Sequence, residues 1–126
     1  MTNKNYDIHE RIFKFIIDVI KYLEKLPKTS TNLIFINQVT RSATSMGANA
    51  QEADGALTKN DFIHGFTLVR KEGKESNFWL RLINELNPKQ DPTGTRLIKE
   101  GNEIIAIVST IIKNAGDSTK KRIGNL

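Results

Sequence analysis

Residues 41–80 read RSATSMGANAQEADGALTKNDFIHGFTLVRKEGKESNFWL, and this segment decides the fold of the chain. Small side chains recur through its first part, and Asp54-Gly55 separates them from a second stretch whose apolar residues have helical spacing. Small residues let two helices approach closely, so polar groups along the helix edges need partners in each other or in another subunit. The segment therefore predicts two helices packed side by side.

Apolar spacing along the whole chain predicts four helices separated by turn and breaker residues. The first helix covers about residues 6–26 and stops before a proline. The second helix begins after a cap at Ser30 or Thr31 and extends to about Asp54. Gly55 follows, and we expect it to adopt the left-handed conformation common at helix ends.

The third helix begins at Thr58 or Asn60 and ends at Asn87. Asp91 is expected to cap the fourth helix, with a proline at its first helical position, where a missing N–H costs nothing. Gly116 is expected to end that helix. Four helices of about 20–28 residues joined by short loops predict an all-α, antiparallel up-down four-helix bundle.

Length and composition indicate one domain without redox or membrane chemistry. The chain has 126 residues, is 38% hydrophobic and contains no cysteine, which excludes disulfides and thiolate metal sites. We assign residues 6–115 to the bundle, residues 1–5 to a disordered N-terminus and residues 116–126 to a basic flexible tail. The N-terminus lacks a signal-peptide apolar region, and no segment approaches the roughly 20 apolar residues that span a bilayer. We expect a soluble, cytoplasmic protein with no membrane contact.

The first helix carries more apolar surface than one core requires. Its apolar residues cover about 200° of the circumference, whereas a helix lying on a single core needs a stripe of roughly 100° or a little more. The excess lies at the edges of this arc and would remain exposed to water in a lone subunit. We predict that Phe13, Ile17 and Ile20 contact another copy of the chain.

Polar residues form a lane along the second and third helices. Two interpretations stay open: the residues pair with one another across helices or subunits and fix the register, or they line a groove or pore that binds a ligand. Pairing is the interpretation that we favour, because buried carboxylates require cations or hydrogen-bond donors. The predicted network comprises Arg41, Ser45, Asn49, Glu52, Lys71, Glu72 and Glu75.

The sequence contains no recognisable catalytic or metal-binding motif. A carboxylate-bridged di-metal bundle needs two inward-facing Glu-x-x-His motifs, and the nearest approach is Asp61 with His64 at a helix start. Serine hydrolysis needs a histidine base beside the nucleophile, and Ser42 and Ser45 have none on their helix face. We therefore predict no enzymatic activity, no metal and no cofactor.

The charge of the chain permits phosphate contacts but does not specify a nucleic acid. Nineteen basic and fourteen acidic residues give a formal net charge of +5, and the excess is spread along the chain. Acidic residues lie among the lysines of the first helix, as they do on an ordinary solvated face. Contact with backbone phosphates, without reading of base sequence, is the most that this composition supports. The candidate residues are Lys14, Lys21, Lys25, Lys28, Lys120, Lys121 and Arg122.

Three segments, RSATSMGANAQEADG, KNDFIHGF and LVRKEGKESNFWLRLI, resemble the bacterial proteins encoded by intervening sequences in 23S ribosomal RNA genes. That four-helix-bundle family is related to the accessory variability determinant of diversity-generating retroelements. The resemblance implies a homopentameric ring, and it implies that relatives bind a reverse transcriptase and nucleic acid through basic surfaces. Ala50 and Gly73 depart from the family pattern, which has a larger aliphatic residue and an alanine at these places.

We therefore expect a non-enzymatic homo-oligomer that contacts structured RNA, DNA or a nucleoprotein complex through phosphates. The alternative is an assembly or adaptor module whose ring docks another protein without touching nucleic acid. A reverse transcriptase is one protein partner that the resemblance implies.

Overall fold

A computed structural model of the chain describes the backbone of residues 4–124 and the side chains of residues 8–117. Within the described residues the fold is all helical, as predicted. Its elements in chain order are α1 (Lys4–Glu24), α2 (Ser30–Asp54), α3 (Lys59–Leu86), a short 3-10 turn (Pro88–Gln90) and α4 (Asp91–Gly124).

The four helices form an antiparallel up-down bundle, which confirms the predicted architecture. Each helix packs against its neighbours in sequence, and α1 also packs against α4. Within the described residues the backbones of diagonal helices do not approach closely, although side chains such as His9 of α1 and Phe66 of α3 touch across the core. The contacts between α2 and α3 give the direction: Arg41 pairs with Glu75, whereas Ala53, further along α2, meets Gly65, which is earlier in α3. Partner numbers that rise on one helix and fall on the other define antiparallel packing.

The core lies along the axis of the bundle and receives side chains from all four helices. Its apolar members recur at helical spacing, so each helix turns one stripe inward. Burial of these side chains is the main favourable contribution to folding. The largest of them are Tyr22, Phe15, Phe66, Ile8, Ile12, Met46, Leu80, Ile83 and Ile104, all exposed by no more than about 2%.

Both ends of α2 differ in detail from the prediction. The cap of α2 is Thr29, whose Oγ1 accepts a hydrogen bond from the Asn32 N–H at 3.1 Å, so the prediction of Ser30 or Thr31 was wrong by one or two residues. Gly55 ends α2 with φ of −96° and is not left-handed. Thr58 caps α3 as predicted, through a 3.1 Å bond from the Asp61 N–H.

The end of α4 was predicted wrongly. The helix passes through Gly116 and continues to Gly124, and it includes the backbone of Lys120, Lys121 and Arg122. A glycine inside a helix costs only roughly 0.5–1 kcal/mol, so one glycine does not end a helix by itself. The boundary that we placed between residues 115 and 116 therefore lies inside α4. The side chains of residues 118–126 lie outside the described part of the chain.

The first helix also starts slightly earlier than predicted, at Lys4. Two residues that we assigned to a disordered N-terminus are therefore helical. A shift of this size is usual for helix ends, where the assignment varies by one or two residues.

Two asparagines of α3 fit against two glycines of α4 and fix how these helices approach. A Cβ added at Gly101 would lie 2.1 Å from Asn77 Oδ1, and one added at Gly94 would lie 2.0 Å from Asn84 Oδ1. The Asn77 amide is buried and donates to the Ile98 carbonyl at 3.1 Å and to Asn102 Oδ1 at 2.9 Å. The helices can approach this closely only where no side chain stands between them.

We predict that Gly101→Ala destabilises the bundle by about 1–3 kcal/mol, because its methyl group overpacks against the buried Asn77 amide. Gly116→Ala is the matched control, because a Cβ there would meet nothing within 4 Å. It should instead stabilise α4 by roughly 0.5–1 kcal/mol through helix propensity. Urea unfolding of the two variants checks whether the free energy of unfolding falls for Gly101→Ala and rises for Gly116→Ala. Equal midpoints would contradict the close approach of α3 and α4.

Candidate functional site

The centre of the predicted polar network is an ion-paired cluster between α2 and α3. Arg41 donates through Nη2 to Glu75 Oε2, and its Nη1 lies 3.8 Å from Glu72 Oε2. The Glu72 side chain is only 13% exposed, and its Oε2 atom has no hydrogen-bond partner among the described residues. Arg41 is therefore the nearest cation to a mostly buried carboxylate.

A buried hydroxyl pair lies beside this cluster. Ser42 Oγ and Ser76 Oγ are 2.7 Å apart and both residues are fully buried, and Ser76 Oγ also donates to the Glu72 carbonyl at 2.9 Å. On the outer side, Trp79 Nε1 donates to Glu75 Oε2 at 3.3 Å. These bonds join α2 and α3 at one level of the bundle, so their role is structural. No histidine takes part in them that could act as a base for the serines.

The remaining predicted members do not join this cluster. Asn49 donates to the Ser45 carbonyl at 2.9 Å and lies within 3.3 Å of Ser45 Oγ, so these two residues bond within α2. Glu52 is exposed and lines a shallow depression of about 220 Å³ near the α2–α3 turn. Lys71 is exposed and forms no ion pair with a described side chain. The lane is thus one ion-paired cluster, one hydrogen-bonded pair within α2 and two separate exposed residues, and not one continuous network.

A groove between α1 and α4 gathers three of the predicted phosphate-contacting lysines. Lys14, Lys21 and Lys25 line it, and α4 contributes Arg96. Its volume is about 550 Å³, and its other lining residues are Phe15, Asp18, Tyr22, Thr93, Leu97 and Glu100. We call these ten residues the basic groove.

The fourth predicted lysine of α1 has a different role. Lys28 Nζ donates to the Leu23 carbonyl at 3.1 Å and to the Glu24 carbonyl at 3.4 Å, so it satisfies carbonyls at the end of α1. It does not line the basic groove. Lys120, Lys121 and Arg122 lie beyond the described side chains, so their predicted phosphate contacts stay predictions.

Sequence reasoning missed Arg96, because nothing along the chain indicates that this residue faces α1. The packing of α4 on α1 brings it there, where it lines the same groove as Lys21 and Lys25. At the floor of the groove, burial and, to a smaller extent, the charge of Asp91 raise the pKa of the Tyr22 hydroxyl above its usual value. That phenol is therefore neutral at physiological pH and lies 3.5 Å from Asn84 Oδ1.

The opposite flank of α1 is apolar. Phe13 is 67% exposed and Ile17 is 39% exposed, while Ile20 is half-buried. Beside the first two residues, a groove of about 310 Å³ runs between α1 and α2 along Gly47 and Ala48. We call Phe13, Ile17 and this groove the apolar edge. The predicted excess of apolar surface is thus present in the single subunit, and the predicted contact with another copy stays a prediction.

Neither a metal site nor a membrane span is found in the described part of the molecule. No group of three or more histidine, aspartate or glutamate side chains is arranged to hold a metal ion there. None of the helices, over the same residues, is long and apolar enough to cross a bilayer.

Comparison with protein families identifies the chain. The model of the family described as "23S rRNA-intervening sequence protein" matches residues 4–110. The chain belongs to this family. The match covers all of α1, α2 and α3 and most of α4, so it includes the ion-paired cluster between α2 and α3, the basic groove and the apolar edge. The resemblance noted in the sequence is confirmed.

A solved structure supports the same assignment. A protein of unknown function from the S23 ribosomal protein family of Bacteroides thetaiotaomicron VPI-5482 has 25% sequence identity and a TM-score of 0.80, over 88% of this chain and 99% of that chain. No curated protein matches the chain.

The two departures from the family pattern lie in the packed interior. Ala50 is buried at 2% exposure. A Cβ at Gly73 would lie 3.2 Å from both Ile105 Cγ1 and Met46 Sδ. The glycine therefore permits close contact of α3 with α2 and α4, which offsets its cost in helix propensity.

We predict that Arg41→Met destabilises the protein by about 1–3 kcal/mol, because it leaves the mostly buried Glu72 carboxylate without a cation. The double variant Arg41→Met/Glu72→Gln should recover part of this loss, since the amide carries no charge. Arg81→Met removes an exposed arginine with no ion pair to a described side chain and should stay within about 0.5 kcal/mol of the parent. Urea midpoints of the three variants test this, and equal midpoints for Arg41→Met and Arg81→Met would contradict it.

Proposed function

We propose that the chain is a non-enzymatic, homo-oligomeric member of the 23S rRNA-intervening sequence protein family. In this proposal it binds structured RNA, or a nucleoprotein complex, through contacts to backbone phosphates. The observation that carries the proposal is the difference between the two flanks of α1. One flank is the apolar edge and the other is the basic groove.

The apolar edge supports self-association. A monomer leaves Phe13 and Ile17 in water beside a groove whose residues Gly47 and Ala48 are too small to cover them. An identical neighbour would bury this surface, and each fully buried Phe or Ile side chain contributes about 1.5–3 kcal/mol. The ring of five subunits implied by the sequence resemblance is one way to bury the edge in every copy.

Assembly also concentrates positive charge. Each chain carries a formal +5, so five copies carry +25. Binding of a polyanion by such a particle releases condensed counterions, so the affinity depends steeply on salt. Phosphate contacts position a nucleic acid without reading its sequence, which fits a surface rich in lysine.

The proposal includes no chemical step. His9 lies 3.4 Å from Asp54 and packs against the Phe66 ring, where it joins α1, α2 and α3 at one end of the bundle. His64 is exposed beside Asp61 and Glu52. Among the side chains of residues 8–117, neither histidine forms a hydrogen bond with a serine.

A second candidate function is an assembly or adaptor module that docks another protein without nucleic acid, such as a reverse transcriptase. The observation that favours it is that large apolar side chains are also exposed on α2 and α3, outside the apolar edge. Ile34 is 59% exposed and Phe78 is 52% exposed, and Phe78 packs edge-on against Trp79. A protein partner could bury these side chains.

We predict that Phe13→Ser dissociates the oligomer, because it places a hydroxyl in the surface that a neighbouring subunit covers. Leu57→Ser is the matched control, since Leu57 is 97% exposed in the loop between α2 and α3 and does not line the groove of the apolar edge. Size-exclusion chromatography should place Phe13→Ser at a smaller size than both the parent and Leu57→Ser. Coelution of all three would contradict a role of the apolar edge in assembly.

We predict that the protein binds a structured RNA at low salt and that the logarithm of the binding constant falls linearly with the logarithm of the salt concentration between about 50 and 200 mM. A filter-binding titration measures this slope. A parallel pull-down treated with nuclease separates the two candidate functions, because an adaptor keeps its protein partner after the RNA is digested. Absence of RNA binding at low salt, or a flat salt dependence, would exclude the nucleic-acid function.

A further inference from the structure

We infer that the basic groove is the nucleic-acid site of this protein and that it takes a single strand, with Lys21, Lys25 and Arg96 holding successive phosphates. This inference rests on the proposed function and names the form of nucleic acid, the place on the fold and a residue that the sequence did not indicate. In a structured RNA, the matching element is a single-stranded loop, bulge or end.

The pattern of ion pairs in the groove leaves a local excess of positive charge. Lys14 Nζ lies 3.3 Å from Asp18, and Glu100 accepts two hydrogen bonds from Arg11, at 3.0 and 2.5 Å. Both acidic residues of the groove are therefore neutralised by neighbours.

The three remaining cations of the groove are unpaired. Among the side chains that the structure describes, Lys21, Lys25 and Arg96 form no ion pair, and all three are exposed. A guanidinium binds phosphate oxygens in a bidentate manner, whereas a lysine acts as a mobile point charge. The groove thus presents one orienting cation on α4 opposite two adaptable cations on α1.

A further acidic group whose charge acts on Tyr22 at the floor of the groove is also hydrogen-bonded. Asp91, in the first turn of α4, accepts hydrogen bonds from Asn84 at 2.9 Å and from Thr95 at 3.0 Å. It does not line the groove, whereas Thr93 of the same turn does. The hydroxyl of Thr93 is an additional donor to a phosphate or sugar oxygen.

The shape of the groove favours one strand over a duplex. It is a cleft between two helices, and its volume of about 550 Å³ lies within the range of about 300–1,000 Å³ typical of small-ligand sites. Its floor is formed by Phe15, Tyr22 and Leu97, each no more than about 3% exposed. A single strand can lie along such a cleft with its phosphates on the cations, since a positive groove that tracks the backbone is one of the two features that single-strand binders share. The other feature, an exposed aromatic platform for the bases, is missing here. A rigid duplex can touch only the rim.

The buried floor also predicts how strongly binding depends on the base sequence of the strand. The rings of Phe15 and Tyr22 are almost inaccessible, so bases cannot stack on them. The energy of binding must then come mainly from the phosphates. We expect little preference among base sequences and a strong dependence on salt.

The test compares two triple variants of the full chain that lose the same charges. Lys21→Ala/Lys25→Ala/Arg96→Ala empties the groove of its unpaired cations. Lys74→Ala/Arg81→Ala/Lys113→Ala removes two lysines and one arginine that are exposed and line no groove named above. Fluorescence anisotropy with a labelled oligouridylate of about 16 nucleotides, and with a blunt duplex of the same length, measures affinity at several salt concentrations.

The groove variant should bind the single strand at least about tenfold more weakly at low salt, and the slope of log K against log salt should fall by about 2, since each phosphate contact to a single strand contributes about 0.7. The control variant should keep an affinity and a slope near those of the parent. The parent should bind the single strand more tightly than the duplex.

Three results would overturn the inference. Equal losses in the two triple variants would mean that general charge and not the groove drives binding, and this outcome would leave the proposed function intact. A parent that binds the duplex as tightly as the single strand would exclude a single-strand site. A parent that binds neither probe at low salt would exclude the proposed function together with the groove.

Discussion

One constraint organises this molecule: α1 carries apolar side chains around more of its circumference than the core of a single bundle can cover. Ile12, Phe15 and Val19 fill the core, while Phe13 and Ile17 on the same helix stay exposed. The hydrophobic effect depends on apolar area removed from water and not on which chain covers it. A second copy is therefore the simplest partner for this edge, because it is always present at the concentration of the chain itself.

The same helix links assembly to charge. Its other flank forms the basic groove with α4, and the basic groove shares no lining residue with the groove of the apolar edge. We therefore propose that the two flanks of α1 have different roles: the apolar edge contacts a neighbouring subunit, and the basic groove binds a polyanion. The ion pairs of Lys14 with Asp18 and of Arg11 with Glu100 pair both acidic residues that line the groove.

Much of the fold could be predicted from the sequence, because the helical spacing of apolar residues and the presence of turn residues are local signals. The Thr58 cap, the limit of α2 at Asp54 and the exposed Phe13 all follow from residues within one or two helical turns. The failure at Gly116 has the opposite cause. A glycine ends a helix when the chain beyond it gains from another conformation, and a single residue carries no information about that gain.

The candidate sites were predictable only in part. Arg41, Glu72 and Glu75 could be paired because their residue types and helical positions are complementary. The fit of Asn77 against Gly101 could not be predicted, since it depends on the register between two helices and on the absence of a Cβ at one place. Arg96 was missed for the same reason, because its distance from Lys21 in sequence conceals their common groove.

The measurement that tests the central claim most directly is the mass of the unmodified protein in solution, by sedimentation equilibrium over a range of concentrations. The account predicts a stable species of several times the 14.2 kDa chain mass, with no monomer persisting at high concentration. A single 14.2 kDa species at every concentration would contradict it, because Phe13 and Ile17 would then remain in water without a partner copy.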